Sequence, residues 1–65
     1  MIEPLSEREA DVLALLVLGF TNRDIAERLT ITVSTVKQHV SSILHKLSVT
    51  NRSQAQARAR AMGFL

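Results

Sequence analysis

The chain has 65 residues with no cysteine, two glycines and one proline, which leaves room for one small domain without disulfides or thiolate metal sites. Its net charge of +2 is unevenly distributed: all six acidic residues precede residue 28, whereas six Lys or Arg, two His and no acid follow from Arg28 onwards. A basic half predicts a polyanionic partner, either nucleic acid or an anionic membrane surface. The lack of cysteine is compatible with a reducing cytoplasm, where we expect the protein to reside.

The first predicted helix begins after Ser6 and runs from Glu7 to Leu18. Ser6 and Glu9 have the spacing of a capping box, and Gly19 stands where a C-cap glycine ends a helix. Its apolar face is wide, so we expect this helix to cross the middle of the core. That face comprises Val12, Leu13, Leu15 and Leu16.

Glu9 points toward this apolar side of the first helix. An ionised carboxylate there requires a cation, because an unpaired buried charge is costly. Lys46 and Arg52 are the two candidates, and the alternative is a Glu9 that caps the helix and stays hydrated.

The second predicted helix is short and spans Asn22 to Leu29, with Thr21 or Asn22 as its cap. Residues 30–32 form a tight turn, in which Ile31 is expected to fill the corner between two helices. Ala26 is small, as the closest approach of two steeply crossing helices requires.

The third predicted helix, within Thr32 to Leu47, has two unlike faces when each residue is rotated by about 100°. The apolar stripe comprises Val33, Val36, Val40, Ile43, Leu44 and Leu47. The opposite stripe comprises Ser34, Gln38, Ser41 and His45, with Lys37 on one shoulder and Thr35, His39 and Lys46 on the other. No acid occurs in this stretch, so the polar face is suited to approach a DNA major groove.

An amphipathic helix whose solvated face merely lacks acid would have the same pattern. The short turn, the small Ala26 and the acid-free face of the third helix agree with one another, however. Together they favour a helix-turn-helix, in which the second helix of the pair enters the major groove.

The fourth predicted helix is capped by Asn51 with Gln54, or by Thr50 with Ser53, and ends near Met62. Its core-facing residues are expected to be Ala55, Ala59 and Met62, followed by Gly63 as the stop and by Phe64 and Leu65 folding back. The prediction is therefore an all-α domain of four helices covering residues 1–65.

The sequence resembles the LuxR-type helix-turn-helix domain of bacterial transcription regulators. The motifs that carry the resemblance are Leu5-Ser6-x-Arg8-Glu9-x-x-Val12-Leu13, Gly19-x-x-Asn22-x-x-Ile25-Ala26-x-x-Leu29-x-Ile31, Thr35-Val36-Lys37-x-His39, Lys46-Leu47-x-Val49-x-x-Arg52 and Gly63-Phe64-Leu65. The two ends, EPLSERE and ARARAMGFL, are most similar to those of the large ATP-dependent, MalT-like regulators. Ser48 departs from the glycine usual in the family, which predicts a slightly different backbone after the third helix.

The resemblance implies a C-terminal fragment of a longer regulator that binds double-stranded DNA, commonly as a homodimer. Base contacts are expected from Lys37, Gln38 and Ser41, and more weakly from Ser34 and His45. Phosphate contacts are expected from Asn22, Arg23, Thr35, His39, Lys46 and Arg52. For His39 the alternative is a half-buried capping role, since a neutral imidazole neutralises no phosphate. A dimer surface is expected on the fourth helix at Gln54, Ala57, Arg58 and Ala61, although an ordinary exposed Ala-rich helix has the same composition.

Three rival functions remain to be weighed. A promoter-reading module of the sigma-factor type shares the helical pattern and would also bind RNA polymerase. A membrane-surface helix would carry Trp or Phe beside its basic face, which this one lacks. An enzyme is not expected, because His39 and His45 do not share a helix face and no catalytic, metal or cofactor motif is apparent.

Overall fold

The computed structural model describes residues 4–64, which form four α-helices and no strand. The helices are α1 (Glu7–Val17), α2 (Asn22–Leu29), α3 (Val33–Lys46) and α4 (Arg52–Ala61). The prediction of an all-α, four-helix fold is confirmed, and each predicted boundary lies within one residue of the observed one.

Side-chain caps determine where the helices begin. At α1 the Ser6 hydroxyl accepts from the Glu9 N–H at 3.1 Å, and Glu9 Oε1 accepts from the Ser6 N–H at 2.8 Å, so the capping box is confirmed. Thr21, rather than Asn22, caps α2 by accepting from the Asp24 N–H at 3.1 Å. These bonds satisfy N–H groups that no preceding turn can reach.

The later two helices begin in the same way. The Thr32 hydroxyl caps α3 by accepting from the Thr35 N–H at 3.1 Å. Asn51 caps α4 through the Gln54 N–H at 2.9 Å, which decides between the two caps the sequence allowed. The Gln54 side chain then accepts from the N–H of Thr50 at 2.9 Å, one residue earlier than in a capping box.

A left-handed residue follows each of the four helices. Gly19 (φ 93°) and Gly63 (φ 76°) occupy this position after α1 and α4, but Thr30 (φ 58°) and Ser48 (φ 56°) occupy it after α2 and α3. Ser48 adopts the left-handed conformation that glycine favours, at a smaller φ than either Gly19 or Gly63, and the prediction of a slightly different backbone there stays a prediction. A residue with a Cβ is strained there by about 1–2 kcal/mol.

The core lies between α1 and α3, each of which contacts all three other helices, while α2 packs mainly against α3 and α4 mainly against α1. Its fully buried side chains come from all four helices. They include Val12, Leu13, Leu16, Ile25, Val36, Ile43, Ala55 and Ala59. Ile31 and Phe64 pack against this cluster from the turn and from the chain end, as predicted.

Two apolar residues lie elsewhere than the periodicity predicted. Val33 is 38% exposed, because it is the first residue of α3 and lies at the edge of the core. Met62 is 52% exposed, because α4 ends at Ala61 and the helical periodicity no longer places the next residue. The prediction for Leu65 lies outside the described residues.

Candidate nucleic-acid interface

The turn between α2 and α3 brings the two helices together as a helix-turn-helix. Thr30 ends α2 in the left-handed conformation, and the Ile31 N–H donates to the Ala26 carbonyl at 3.0 Å, so the chain reverses within three residues. Ala26 is buried between the helices and Ile31 is half-buried in the corner. Because the turn is short, the outer face of α3 projects beyond α2.

The outer face of α3 carries a continuous row of exposed side chains. Lys37, Ser41 and His45 recur every fourth residue and therefore lie one above the next along the helix. Ser34 and Gln38 are also exposed and form the neighbouring row. All five predicted base-contacting residues are thus on one accessible, acid-free face.

The inner edge of α3 is bound to α1 through Glu9. Ser42 Oγ donates to Glu9 Oε2 at 2.5 Å, and Lys46 Nζ donates to Glu9 Oε1 at 2.7 Å. The Glu9 carboxylate is buried, at 7% exposure, whereas the Lys46 side chain is 20% exposed. Of the two cations that the sequence offered to Glu9, Lys46 is the partner.

These contacts determine how the Glu9 carboxyl titrates. Its pKa is lowered from 4.5 to about 2, first by the Lys46 hydrogen bond and then by those from the Ser42 hydroxyl and the Ser6 N–H. Burial acts in the opposite direction but is outweighed. Glu9 therefore stays ionised in the folded domain at any ordinary pH.

The start of α2 is joined to the start of α4 by Arg52. Its Nη1 donates to Asn22 Oδ1 at 2.7 Å and its Nη2 donates to the Phe20 carbonyl at 2.6 Å. Arg23 lies next to Asn22, with its side chain 85% exposed and a loose 3.7 Å contact to Glu27. Asn22, Arg23 and Arg52, all predicted phosphate contacts, are thereby gathered at one corner.

Comparison with known proteins agrees with this geometry. A family model described as "Bacterial regulatory proteins, luxR family" matches residues 3–59. The chain belongs to the LuxR family. The prediction that this domain binds DNA for transcription regulation is therefore confirmed.

Relatives and solved structures agree on the LuxR-family domain. The Bacillus subtilis transcriptional regulatory protein LiaR is 49% identical over 53 residues, covering 82% of this chain and 25% of LiaR. The structure of the transcription factor GerE superposes with a TM-score of 0.84 at 38% identity, over 94% of this chain and 91% of GerE. The response regulator ChrA gives a TM-score of 0.89 at 40% identity, over 97% of this chain and 31% of ChrA. The chain thus spans about a quarter of the length of the curated relatives it matches.

The remaining predicted phosphate contacts of the LuxR-family domain differ in accessibility. Thr35 is half-buried, and its hydroxyl accepts from the Thr32 hydroxyl at 2.9 Å, which leaves its own proton free to donate. His39 is half-buried, as the alternative for this residue required. Lys46 lies on the inner edge of α3, where Glu9 already neutralises its charge.

The predicted dimer residues of the LuxR-family domain form one exposed face of α4. Gln54, Ala57, Arg58 and Ala61 are all exposed and line a shallow open depression next to Ser48 and Val49. The opposite face of α4 carries Gln56, whose amide donates to the Leu16 carbonyl at 2.7 Å at the end of α1. Small side chains on the exposed face would allow a second helix to approach closely.

Sequence reasoning missed two features of the interface. Ser42 was not assigned a role, although its spacing of four residues from Lys46 places both on the edge that meets Glu9. Val33 was assigned to the core, although it shares the four-residue spacing of Lys37 and Ser41.

Among residues 4–64, no helix combines the length and the apolar content needed to cross a bilayer.

Proposed function

We propose that this domain reads DNA sequence by placing α3 in the major groove while α2 crosses the phosphate backbone. The observation that carries the proposal is the exposed, acid-free outer face of α3, where Lys37, Gln38 and Ser41 lie side by side. Lysine can donate to guanine O6 or N7, and glutamine can pair with adenine N6 and N7. Ser34 and His45 extend this surface toward the two ends of the helix.

Phosphate contacts are proposed for the corner where α2 starts and for the flank of α3. Asn22, Arg23 and Arg52 meet at that corner, where the N–H groups that begin α2 favour an anion. Thr35 and His39 would add contacts on the flank of α3. Lys46 is the weakest member of this set, because a phosphate must compete with Glu9 for its ammonium group.

The experiment that tests the proposal is selection of binding sites from random duplexes, followed by titration of the selected and a scrambled duplex at several salt concentrations. We expect an enriched half-site, tighter binding to it than to the scrambled duplex, and no binding to anionic vesicles. Enrichment of no sequence would contradict base readout. Equal binding to vesicles would favour a general polyanion surface instead.

Pairing of two copies through α4 is proposed for the DNA-bound state. The supporting observation is the exposed face formed by Gln54, Ala57, Arg58 and Ala61. Sedimentation on a palindromic site should give two copies per duplex, and Ala57→Glu should reduce this to one, because like charges would meet across the interface. Arg8→Ala, an exposed change on α1 that lowers the net charge equally, is the matched control. One copy per duplex for the unaltered domain would contradict pairing.

The parent protein is proposed to be a longer cytoplasmic regulator with this domain at its C-terminus. ChrA supports a response-regulator parent by its name, whereas the two ends of the chain resemble MalT-like regulators. The gene's upstream coding sequence distinguishes the two, because the first requires a phosphoacceptor domain and the second an ATPase.

A promoter-reading module of the sigma-factor type is the alternative function, and it would differ from the proposed one by also binding RNA polymerase. RNA polymerase is a candidate partner of the parent protein, and co-sedimentation without DNA would test for it. We propose no catalytic activity and no cofactor for the domain, since its family and named relatives are regulators of transcription.

A further inference from the structure

Val33 is an apolar residue at the edge of the core that keeps more than a third of its surface exposed. It is the first residue of α3 and is 38% exposed, although the helical pattern of the sequence would bury it. It stands four residues before Lys37 and eight before Ser41, so it begins the exposed row that those residues continue. Its exposed part therefore lies next to Lys37, at the edge of the proposed base-reading surface.

The other exposed large apolar residues of the described chain are placed differently. Leu18 and Met62 follow the last residues of α1 and α4, outside the helix-turn-helix. Val33 alone among these three lies on α3, at the N-terminal end that a helix of this kind directs toward base edges. A valine there has no hydrogen bond to offer, so it can recognise only an apolar group.

One apolar group is available on the major-groove edge of DNA, and that is the 5-methyl group of thymine. We propose that Val33 contacts a thymine methyl and is a specificity-determining residue of this domain, an inference that rests on the proposed function. Val33 and Lys37 are separated by one helical turn, about 6 Å at about 1.5 Å per residue. Because base pairs are spaced by about 3.4 Å along a strand, the thymine should lie within about two base pairs of the base that Lys37 contacts.

The contact complements the hydrogen bonds proposed for its neighbours. Lys37 and Gln38 would distinguish guanine and adenine by their donors and acceptors, whereas Val33 would distinguish thymine from cytosine by a methyl group. Burying that methyl group against Val33 should strengthen binding about fourfold, the value expected for one buried methylene-sized group.

The experiment replaces each thymine of the selected half-site, one at a time, with deoxyuridine, which removes the 5-methyl group and leaves the base pair intact. The unaltered domain should lose about fourfold in affinity at one of these positions. Val33→Ala should bind the thymine duplex with the same loss and should no longer distinguish thymine from uracil there. Leu18→Ala, which removes an exposed apolar side chain outside α3, should retain the full uracil penalty.

The outcomes separate this inference from the proposed function. If selection enriches a half-site but no uracil replacement weakens binding, or if Val33→Ala keeps the penalty at every position, the role of Val33 is overturned while DNA recognition stands. If selection enriches nothing, base readout itself fails. Val33→Ser lacks the same methyl groups, so it provides a second variant should Val33→Ala fold poorly.

Discussion

Ser41 and Ser42 are adjacent, chemically identical residues of α3, yet they belong to different parts of the molecule. Ser41 is exposed in the row that begins at Val33, whereas Ser42 donates its hydroxyl proton to the buried Glu9 carboxylate. A rotation of about 100° separates the two side chains, and the same rotation separates exposed His45 from ion-paired Lys46. The role of a polar residue on this helix is therefore set by what lies opposite it, and residue type alone does not determine it.

The largest effect is expected when the inner edge of α3 loses Glu9. Glu9→Ala removes an ion pair and two further hydrogen bonds, leaving Lys46 and Ser42 without their partner. We expect a loss of about 3 kcal/mol in the free energy of unfolding, measured in urea, because breaking a buried pair strands the remaining charge. Glu7→Ala, an exposed acid on the same helix, should cost less than about 1 kcal/mol. Equal losses for the two variants would mean that the inner edge contributes nothing particular.

Lowering the pH should also reduce the free energy of unfolding through Glu9. The pKa of Glu9 is about 2 in the folded domain and 4.5 ordinarily, so the unfolded chain takes up a proton first as the pH falls. The contribution is fully present above pH 4.5 and is lost progressively toward pH 2, in total about 3 kcal/mol. Urea unfolding across this range should therefore depend less on pH for Glu9→Gln than for the unaltered domain. Parallel pH profiles would contradict the assignment.

Substitutions on the exposed face of α3 should change DNA binding and leave the free energy of unfolding unchanged. Lys37→Ala or Gln38→Ala should reduce discrimination at one base pair by about 1–3 kcal/mol, with unfolding little changed, because both side chains are exposed. Titrations with the selected duplex and its single-base variants measure this directly. A uniform loss on cognate and scrambled DNA would assign the residue to phosphate contact instead.

Arg52 combines a structural role with a proposed binding role. It is half-buried and hydrogen-bonded within the domain, and it is also a proposed phosphate contact. Arg52→Ala should weaken binding to all duplexes alike. If Arg52 contacts a phosphate, the dependence of log affinity on log salt should become shallower by about one unit. An unchanged salt slope would leave it the structural role of holding Asn22 and the Phe20 carbonyl. Arg23 is also a proposed phosphate contact, but its side chain is exposed. The salt slope of Arg23→Ala therefore provides the comparison for a phosphate contact on an exposed side chain.

The smallest effect is expected at the end of α3. Ser48→Gly should stabilise the domain by about 1 kcal/mol, because glycine adopts a positive φ without the strain that a Cβ causes. DNA affinity should not change, since neither edge of α3 is altered. A destabilised Ser48→Gly variant would show that the serine side chain has a role that outweighs its backbone strain.

Much of this fold could be predicted because its signals are local. Ser6, Thr21, Thr32 and Asn51 each act on an N–H group three residues away, so their spacing places the helix starts to within a residue. The exposed face of α3 follows in the same way from helical periodicity. What failed concerned positions where neighbours in space decide. Helical periodicity cannot show that Val33 stays partly exposed at the helix start, and it no longer applies at Met62.

The interior contacts were less predictable for the same reason. The sequence required a cation for Glu9 but could not choose between Lys46 and Arg52, because that choice depends on how α3 and α4 meet α1. Arg52 instead joins α4 to the start of α2, and no sequence spacing anticipates a bond between residues 30 positions apart.

That single guanidinium has a mechanical consequence. Arg52 opens α4, and its two amino groups grip the chain on either side of Thr21, the residue that caps α2. A second subunit that pushed or tilted α4 would therefore pull directly on the anchor point of α2. A displacement of α4 would thus reach the start of α2 through this one side chain, in addition to the core contacts of Ala55 and Ala59.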